Sequence, residues 1–276
     1  MADATLSERN ERLFGTSTPV AFVTGSVANR VGNVIATHFL MQGFTVVRHG
    51  RIPNGPPEVQ GASETKPDGA LSVVYGSIAE EDNVEGWRDE ILRIHSRIDV
   101  VVNSAAIWRP IPLENTTSAD FEEFFRVNAL GTALIGKFFG LAMVDQVNGG
   151  CLINIGDWAT ARPYPDFSAY FASKYTVEGI TRSLAVELAT RNPHVRVNAI
   201  LPGPVMLDTK IDDERRGRIS ASCLLKRDGS PEDVAHAAVF LATSPFITGV
   251  ALPVDGGRTL YAGNTRDSVA HPDVIG

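Results

Sequence analysis

The chain has 276 residues, 43% of them hydrophobic and 21% charged, with a net charge of −7. That composition suits one globular domain with a large core, and the acidic balance argues against a nucleic-acid footprint or a membrane-surface patch. No apolar run reaches the roughly 20 residues a membrane crossing needs, and Cys151 and Cys223 read as reduced, buried thiols of a cytoplasmic protein rather than a disulfide.

Residues 1–18 are polar, with Asp3, Glu8, Arg9, Glu11 and Arg12. They lack a secretory apolar core and read as a flexible lead-in to a single domain over 19–276. Residues 20–24 form an apolar strand, 33–42 a helix that stops at Gly43, and 44–48 a second strand. Residues 50–69 are rich in Gly, Pro and charge and read as an exposed, mobile loop. A strand over 71–75, a helix over 83–96 and a buried strand over 99–103 follow. Next come a long helix over 119–139, a strand over 151–155 and a second long helix over 169–190. A strand over 195–200, a helix over 231–243 and a last strand over 250–254 complete the pattern. Continuous β-branched strands separated by amphipathic helices predict an α/β fold, a parallel sheet covered on both faces. No repeat or linker divides the chain. The tail after Gly257 has no periodicity and reads as either a subunit contact or a disordered end.

Between the first strand and the first helix lies Thr24-Gly25-Ser-Val-Ala-Asn29-Arg30-Val31-Gly32. A glycine turn there delivers a pyrophosphate to a helix N-terminus, and the strand–turn–helix context strengthens an otherwise weak motif. The middle glycine of the usual loop is missing, and Asn29 is expected to take up the left-handed conformation in its place. The second strand ends in Arg48-His49-Gly50-Arg51, without the acid that holds ribose hydroxyls in NAD sites. Arg30 and Arg51 are placed to flank a 2′-phosphate, which predicts NADPH over NADH. Solvated arginines on an edge loop are the bland alternative.

Asp157 precedes Tyr170 and Lys174 by a short loop. The Tyr-x-x-x-Lys spacing puts both side chains one turn apart on one helix face. A lysine ammonium there is expected to lower the phenol pKa and make Tyr170 a proton donor. A carboxylate at 157 repels a developing alkoxide, whereas a protonated acid donates to a ring nitrogen or an exocyclic group of a heterocycle. Trp108 reads as either a substrate shelf or a core aromatic, Trp158 and Tyr164 as lining or covering the pocket, and Met206 as part of a substrate lid. His38 and His236 lie within helices and read as surface or packing residues, and no histidine has metal spacing.

Together these residues resemble the short-chain dehydrogenase/reductase family. The resemblance covers residues 19 to about 260 and rests on Thr24-Gly25 with Gly32, Asn103-Ser-Ala105-Ala106, Asn128, Tyr170/Lys174, Pro202-Gly203-Pro204-Val205 and Asp255-Gly256-Gly257. It implies a Rossmann-type, doubly wound, seven-stranded parallel sheet, a nicotinamide cofactor and a homotetramer paired through the two long helices. It implies cofactor contacts at Ser77, Asn103, Ala105, Lys174, Pro202, Gly203 and Val205, and an Asn128-held water linking Lys174 to solvent. Within the family the chain is similar to pteridine reductases. Asp157 stands where most members carry serine, Arg30 replaces a glycine, and Trp108 follows the Asn103 motif. That resemblance implies hydride transfer to a C=N bond of a pteridine, with ketones disfavoured. The alternatives are a carbonyl reductase acting on a 3-oxoacyl or sugar ketone, and a catalytically weak NADPH-binding regulator.

Overall fold

A computed structural model describes residues 5–51, 63–65, 71–207 and 211–260. One sheet runs through them in the order β3-β4-β2-β1-β5-β6-β7-β8. Its strands are β1 (Val20–Thr24), β2 (Thr45–Gly50), β3 (Ser63–Thr65), β4 (Leu71–Tyr75), β5 (Val100–Asn103), β6 (Gly150–Ile155), β7 (Val195–Pro202) and β8 (Ala251–Val254). The seven strands other than β3 are parallel, as the family resemblance implies. The short β3 pairs antiparallel with β4 at the edge, inside the stretch read as a loop. Residues 52–62 and 66–70 of that stretch lie outside the described residues.

The central strands read as continuous apolar runs because both faces are buried. Phe22, Val47, Val101 and Leu152 join one core, together with Trp87 and Phe139. Ala21, Val23, Val46 and Val102 join a second core on the other face, with Phe39 and Leu241. The helices that supply these cores are α2 (Val31–Met41), α3 (Glu81–His95), α5 (Gly131–Val144), α6 (Ser168–Ala189) and α8 (Pro231–Thr243).

Three features correct the sequence reading. First, the lead-in is structured: α1 (Leu6–Phe14) is closed by a Thr5/Glu8 capping box and a left-handed Gly15. Asn10 is fully buried, its amide donates to the Gln42 carbonyl, and Phe14 packs edge-on against Phe44. Second, the long helix over 119–139 is α4 (Ser118–Phe124), a π-helical stretch over 125–130 and α5 in succession. The whole span Ser118–Val144 is long and apolar enough to cross a membrane, but 67% of its most apolar window is buried, so it reads as a core helix. Third, α7 (Asp213–Ala221) had no counterpart in the sequence pattern, because its apolar content is too low to show periodicity. Cys151 and Cys223 are free and buried, as expected, and His38 packs against His236 between α2 and α8.

Candidate active site

The site lies where the parallel strands end. Carboxyl ends of β1, β2, β5, β6 and β7 carry Gly25, Arg51, Asn103, Asp157 and Gly203, at the edge where open α/β sheets bind ligands.

The first turn leaves β1 through Gly25, at φ 65°, and a Cβ there would meet the Ala105 backbone at 2.8 Å. Gly32 is equally constrained, since a Cβ would lie 2.6 Å from the Gly25 carbonyl. These glycines let turn, helix and β5 approach each other closely. Thr24 ties the turn to β5: its Oγ1 donates to Asn103 Oδ1 and accepts from the Ser104 and Ala105 N–H groups, each at 3.0 Å. Arg30 caps α2 in an extended conformation with no side-chain acceptor for the helix N–H groups, which leaves them for an anion. The Asn103 Nδ2, in a side chain only 3% exposed, has no hydrogen-bond partner. A glycine-lined cradle beside an orphaned buried donor fits a dinucleotide, with Gly25, Val31, Asn103 and Ala105 as its walls.

Two expectations for this turn are corrected. Asn29 is exposed and does not sit at positive φ; in this loop only Gly25 does. His49 does not face the cofactor side. It is 2% exposed, accepts the Gly25 N–H at Nδ1 (3.0 Å), and reaches the Gly76 carbonyl through Nε2 at 3.1 Å. That pair fixes the Nε2–H tautomer. Phe22 and Trp87 enclose the ring, and burial lowers its pKa to about 4. His49 therefore braces the turn from beneath. Arg48 does the same from the side, through the Ser26 carbonyl and Thr37 Oγ1. Arg30 and Arg51 stand exposed on adjoining segments, which the Ser26 N–H to His49 carbonyl bond holds together. The Ser77 hydroxyl accepts the Ala79 N–H at 3.3 Å.

At the end of β6 the chain makes a short 3₁₀ turn, Trp158–Thr160, capped by Asp157, whose Oδ1 accepts the Ala159 N–H at 2.8 Å. The Tyr170 hydroxyl is 2.7 Å from Asp157 Oδ2. Lys174 is 5% exposed and donates to the Ile155 carbonyl at 2.8 Å. Burial raises the Asp157 pKa, against the Tyr170 and Ala159 hydrogen bonds and the charges of Lys174 and Arg258. Tyr170 is raised well above its ordinary value, by burial first and then by Asp157. Lys174 falls to about 8 through burial, opposed by Asp157. The expected lysine effect on the phenol is thus reversed: the closest charge to Tyr170 is a carboxyl, and the pair holds its protons tightly.

Asn128 lies in the π-helical stretch, 1% exposed. Its Oδ1 accepts the Ile107 N–H, and its Nδ2 donates to the Ile107 carbonyl and to Ser173 Oγ. Asn128 thereby ties the loop after β5 to α6. Ser173, absent from the sequence reading, completes that tie.

An aromatic cluster walls the site. Phe124, Trp158, Phe167, Tyr170 and Phe171 are buried together, with Tyr164 packed against them. Trp108 is 56% exposed, stacks on Phe167 at 5.1 Å, and its indole donates to the Tyr164 phenol. It is a rim residue, not a core one. Met206, just beyond β7, is half exposed. Pro202, Gly203 and Val205 form the turn before it, where a Cβ on Gly203 would meet Asp255 Cα at 2.5 Å. Arg258 was missed altogether. It follows Asp255-Gly256-Gly257, is 4% exposed, and lies over the Trp158 ring at 4.3 Å.

A proton-donor array at the carboxyl edge of a doubly wound sheet, beside a dinucleotide cradle, is matched by sequence over nearly the whole chain. Residues 27–259 match the family described as enoyl-(acyl carrier protein) reductase. The chain is a short-chain dehydrogenase/reductase. Glucose 1-dehydrogenase of Gluconobacter oxydans is 32% identical over 87% of this chain and 91% of its own length. Carbonyl reductase family member 4 of Xenopus tropicalis is 35% identical over 70% of this chain and 80% of its own length. The ligand-free structure of Thermoplasma acidophilum aldohexose dehydrogenase superposes with a TM-score of 0.76, at 25% identity, covering 90% of this chain and 96% of that one. The protein is therefore an oxidoreductase of a family that uses a nicotinamide dinucleotide.

Proposed function

We propose that this protein is an NADPH-dependent reductase of a carbonyl group on a small molecule. The observation that carries the reading is the buried Asp157–Tyr170 pair, 2.7 Å apart and one helical turn from Lys174. It is supported by relatives whose names describe carbonyl, glucose and aldohexose chemistry, which favours this reading over the pteridine one. The bound cofactor supplies a hydride. Tyr170 gives its proton to the substrate oxygen and takes one from Asp157, whose carboxyl is pushed by burial toward the protonated form. The negative charge then rests on the Asp157 carboxylate, near the Ala159 N–H, Lys174 and Arg258. The preference for NADPH is supported by Arg30 and Arg51, exposed on adjoining segments, and by the missing acid after β2.

A second reading, reduction of a pteridine C=N bond, is favoured by one observation. An acid at 157 that burial pushes toward its neutral form, near the stacked Trp108 and Phe167 rings, suits a flat heterocycle with ring nitrogens. NADPH oxidation measured against dihydrobiopterin, dihydrofolate, a 3-oxoacyl thioester, hexoses and activated ketones separates the two. Turnover confined to the pterins would replace the carbonyl reading. We further propose a cytoplasmic homotetramer, in keeping with free thiols and with Phe125, Leu141, Tyr175 and Val186 left exposed along the π–α5 and α6 helices. Light scattering giving a monomer at micromolar concentration would refute the assembly.

A further inference from the structure

Arg258 is a buried cation beside the site that, among the described residues, makes no hydrogen bond to Asp157, Tyr170 or Lys174. Asp255, Gly256 and Gly257 set its position: both glycines have positive φ, 63° and 78°, and turn the chain back toward β6. The Asp255 carboxylate is held within that loop, by the Gly257 and Thr259 N–H groups and the Thr259 hydroxyl. The Arg258 carbonyl is held by Arg162 at 2.6 Å. Its guanidinium has none of these ties. Among the described residues it makes no ion pair and no side-chain hydrogen bond, although the residue is only 4% exposed. It lies over the Trp158 face.

Burying a cation without a hydrogen-bonded anion is costly, and a cation–π contact offsets part of that cost. Asp255 lends it opposite charge at longer range, but no protein group among the described residues hydrogen-bonds the guanidinium. The position is informative, because Trp158 directly follows Asp157 and tilts against Tyr164 at 6.4 Å. The charge of Arg258 is felt at both Asp157 and Tyr164. The guanidinium thus lies against the aromatic wall that carries Trp158 and Tyr164, next to the proton-donor pair.

We infer that Arg258 anchors an anionic group of the substrate, so that the compound reduced is an oxo acid or an oxo compound bearing phosphate. A planar guanidinium matches carboxylate or phosphate oxygens in pairs, and the Trp158 ring behind it fixes the plane. This inference rests on the carbonyl reading for its turnover test but not for its binding test.

In the turnover test, kcat/KM is compared for a 3-oxo acid and its methyl ester. Wild type is expected to prefer the acid at least tenfold. Arg258→Met keeps an apolar stem over Trp158 and should reduce the acid's kcat/KM about a hundredfold more than the ester's, the scale of a lost charge-assisted pair. An unchanged acid-to-ester ratio overturns the inference. In the binding test, wild type and Arg258→Met, both holding NADP, are titrated calorimetrically with malonate and with inorganic phosphate. Saturable heat in wild type that is lost in the variant supports the anchor, and the tighter ion names the group. No saturable heat from either ion, or equal heat in the variant, sinks it. Should the methionine variant fail to fold, Arg258→Lys, which keeps charge but not the planar fork, is expected to weaken ion binding at least fivefold. Lysine binding as tightly as wild type also overturns the inference. If no carbonyl compound is turned over while malonate binding depends on Arg258, the functional reading fails and the anchor stands.

Discussion

The Asp157→Asn substitution isolates the carboxyl from the shape of the site. The asparagine oxygen can still accept the Ala159 N–H that caps the turn, now 2.8 Å from Oδ1, and its amide can still reach the Tyr170 oxygen, now 2.7 Å from Oδ2. What disappears is a proton to give and a charge to carry. Two full negative charges 2.7 Å apart interact by about 6 kcal/mol at an effective permittivity near 20. Wild type with Asp157 ionised therefore cannot develop charge at Tyr170 or the substrate oxygen, and only its protonated form is active. Since burial raises the Asp157 pKa, wild-type kcat/KM is expected to be flat below that pKa and to fall tenfold per pH unit above it. The Asn variant, lacking the relay proton, should start about a hundredfold lower but stay flat through the same range. The two curves therefore converge with rising pH. Above about 8 both fall together as Lys174 loses its charge. The assay is kcat/KM for NADPH-dependent reduction from pH 5 to 9, with NADPH binding measured alongside. A wild-type to variant ratio independent of pH would refute a titrating role for Asp157.

Arg51→Ala should raise the KM for NADPH at least tenfold while changing that for NADH less than threefold; equal effects would remove the basis for the cofactor preference. His49 binds its proton about 2.5 units more weakly in the fold than in the open chain. The unfolded state therefore takes up the proton first, and about 3 kcal/mol of stability present above pH 6.5 is lost as pH falls toward 4. Urea unfolding at pH 7 and pH 5 should show this loss in wild type and a flatter response in His49→Gln. Phe14→Ala should cost about 3 kcal/mol in the same assay, because Phe14 is 6% exposed against Phe44; a cost below 1 kcal/mol would mean that α1 is not part of the cooperative fold.

The sheet was legible because doubly buried strands leave apolar runs of the right length between helical periods, and the end of each run located a site residue. Local exceptions were hidden. Period-2 reading of β2 does not say which face His49 takes, and its position after an arginine made it look like a cofactor contact. The Asn29 expectation transferred the conformation of the missing glycine to a loop in which only Gly25 takes positive φ. A π-helical stretch keeps helical composition, so nothing marks Asn128 as the point where the long helix loosens. The N-terminal helix did carry a signal, the Thr5-x-x-Glu8 capping box ahead of Leu13 and Phe14, but surrounding charge masked its apolar edge. Arg258 was equally visible after two glycines, yet only the fold shows that it turns inward over Trp158.

The sense of the electrostatics at Tyr170 could not be read from spacing alone. A lysine one turn away predicts an acidified phenol, and that inference is sound when the lysine is the nearest charge. Here the nearest group is a carboxyl in direct hydrogen bond, while the Lys174 ammonium is occupied by the Ile155 carbonyl. Desolvation acts on all three groups together: it raises the acid and the phenol and lowers the amine. Each shift favours the neutral form, so the resting site minimises charge in a poorly solvated cluster. In the proposed reduction the proton that passes from the pair to the substrate leaves a negative charge near the Lys174 ammonium, which persists up to about pH 8. The groups around Asp157, a backbone N–H and two cations, are arranged for the carboxylate that this step leaves behind. In the proposed carbonyl reduction, an acid at 157 thus moves the final charge from the phenol to a group whose surroundings already receive it.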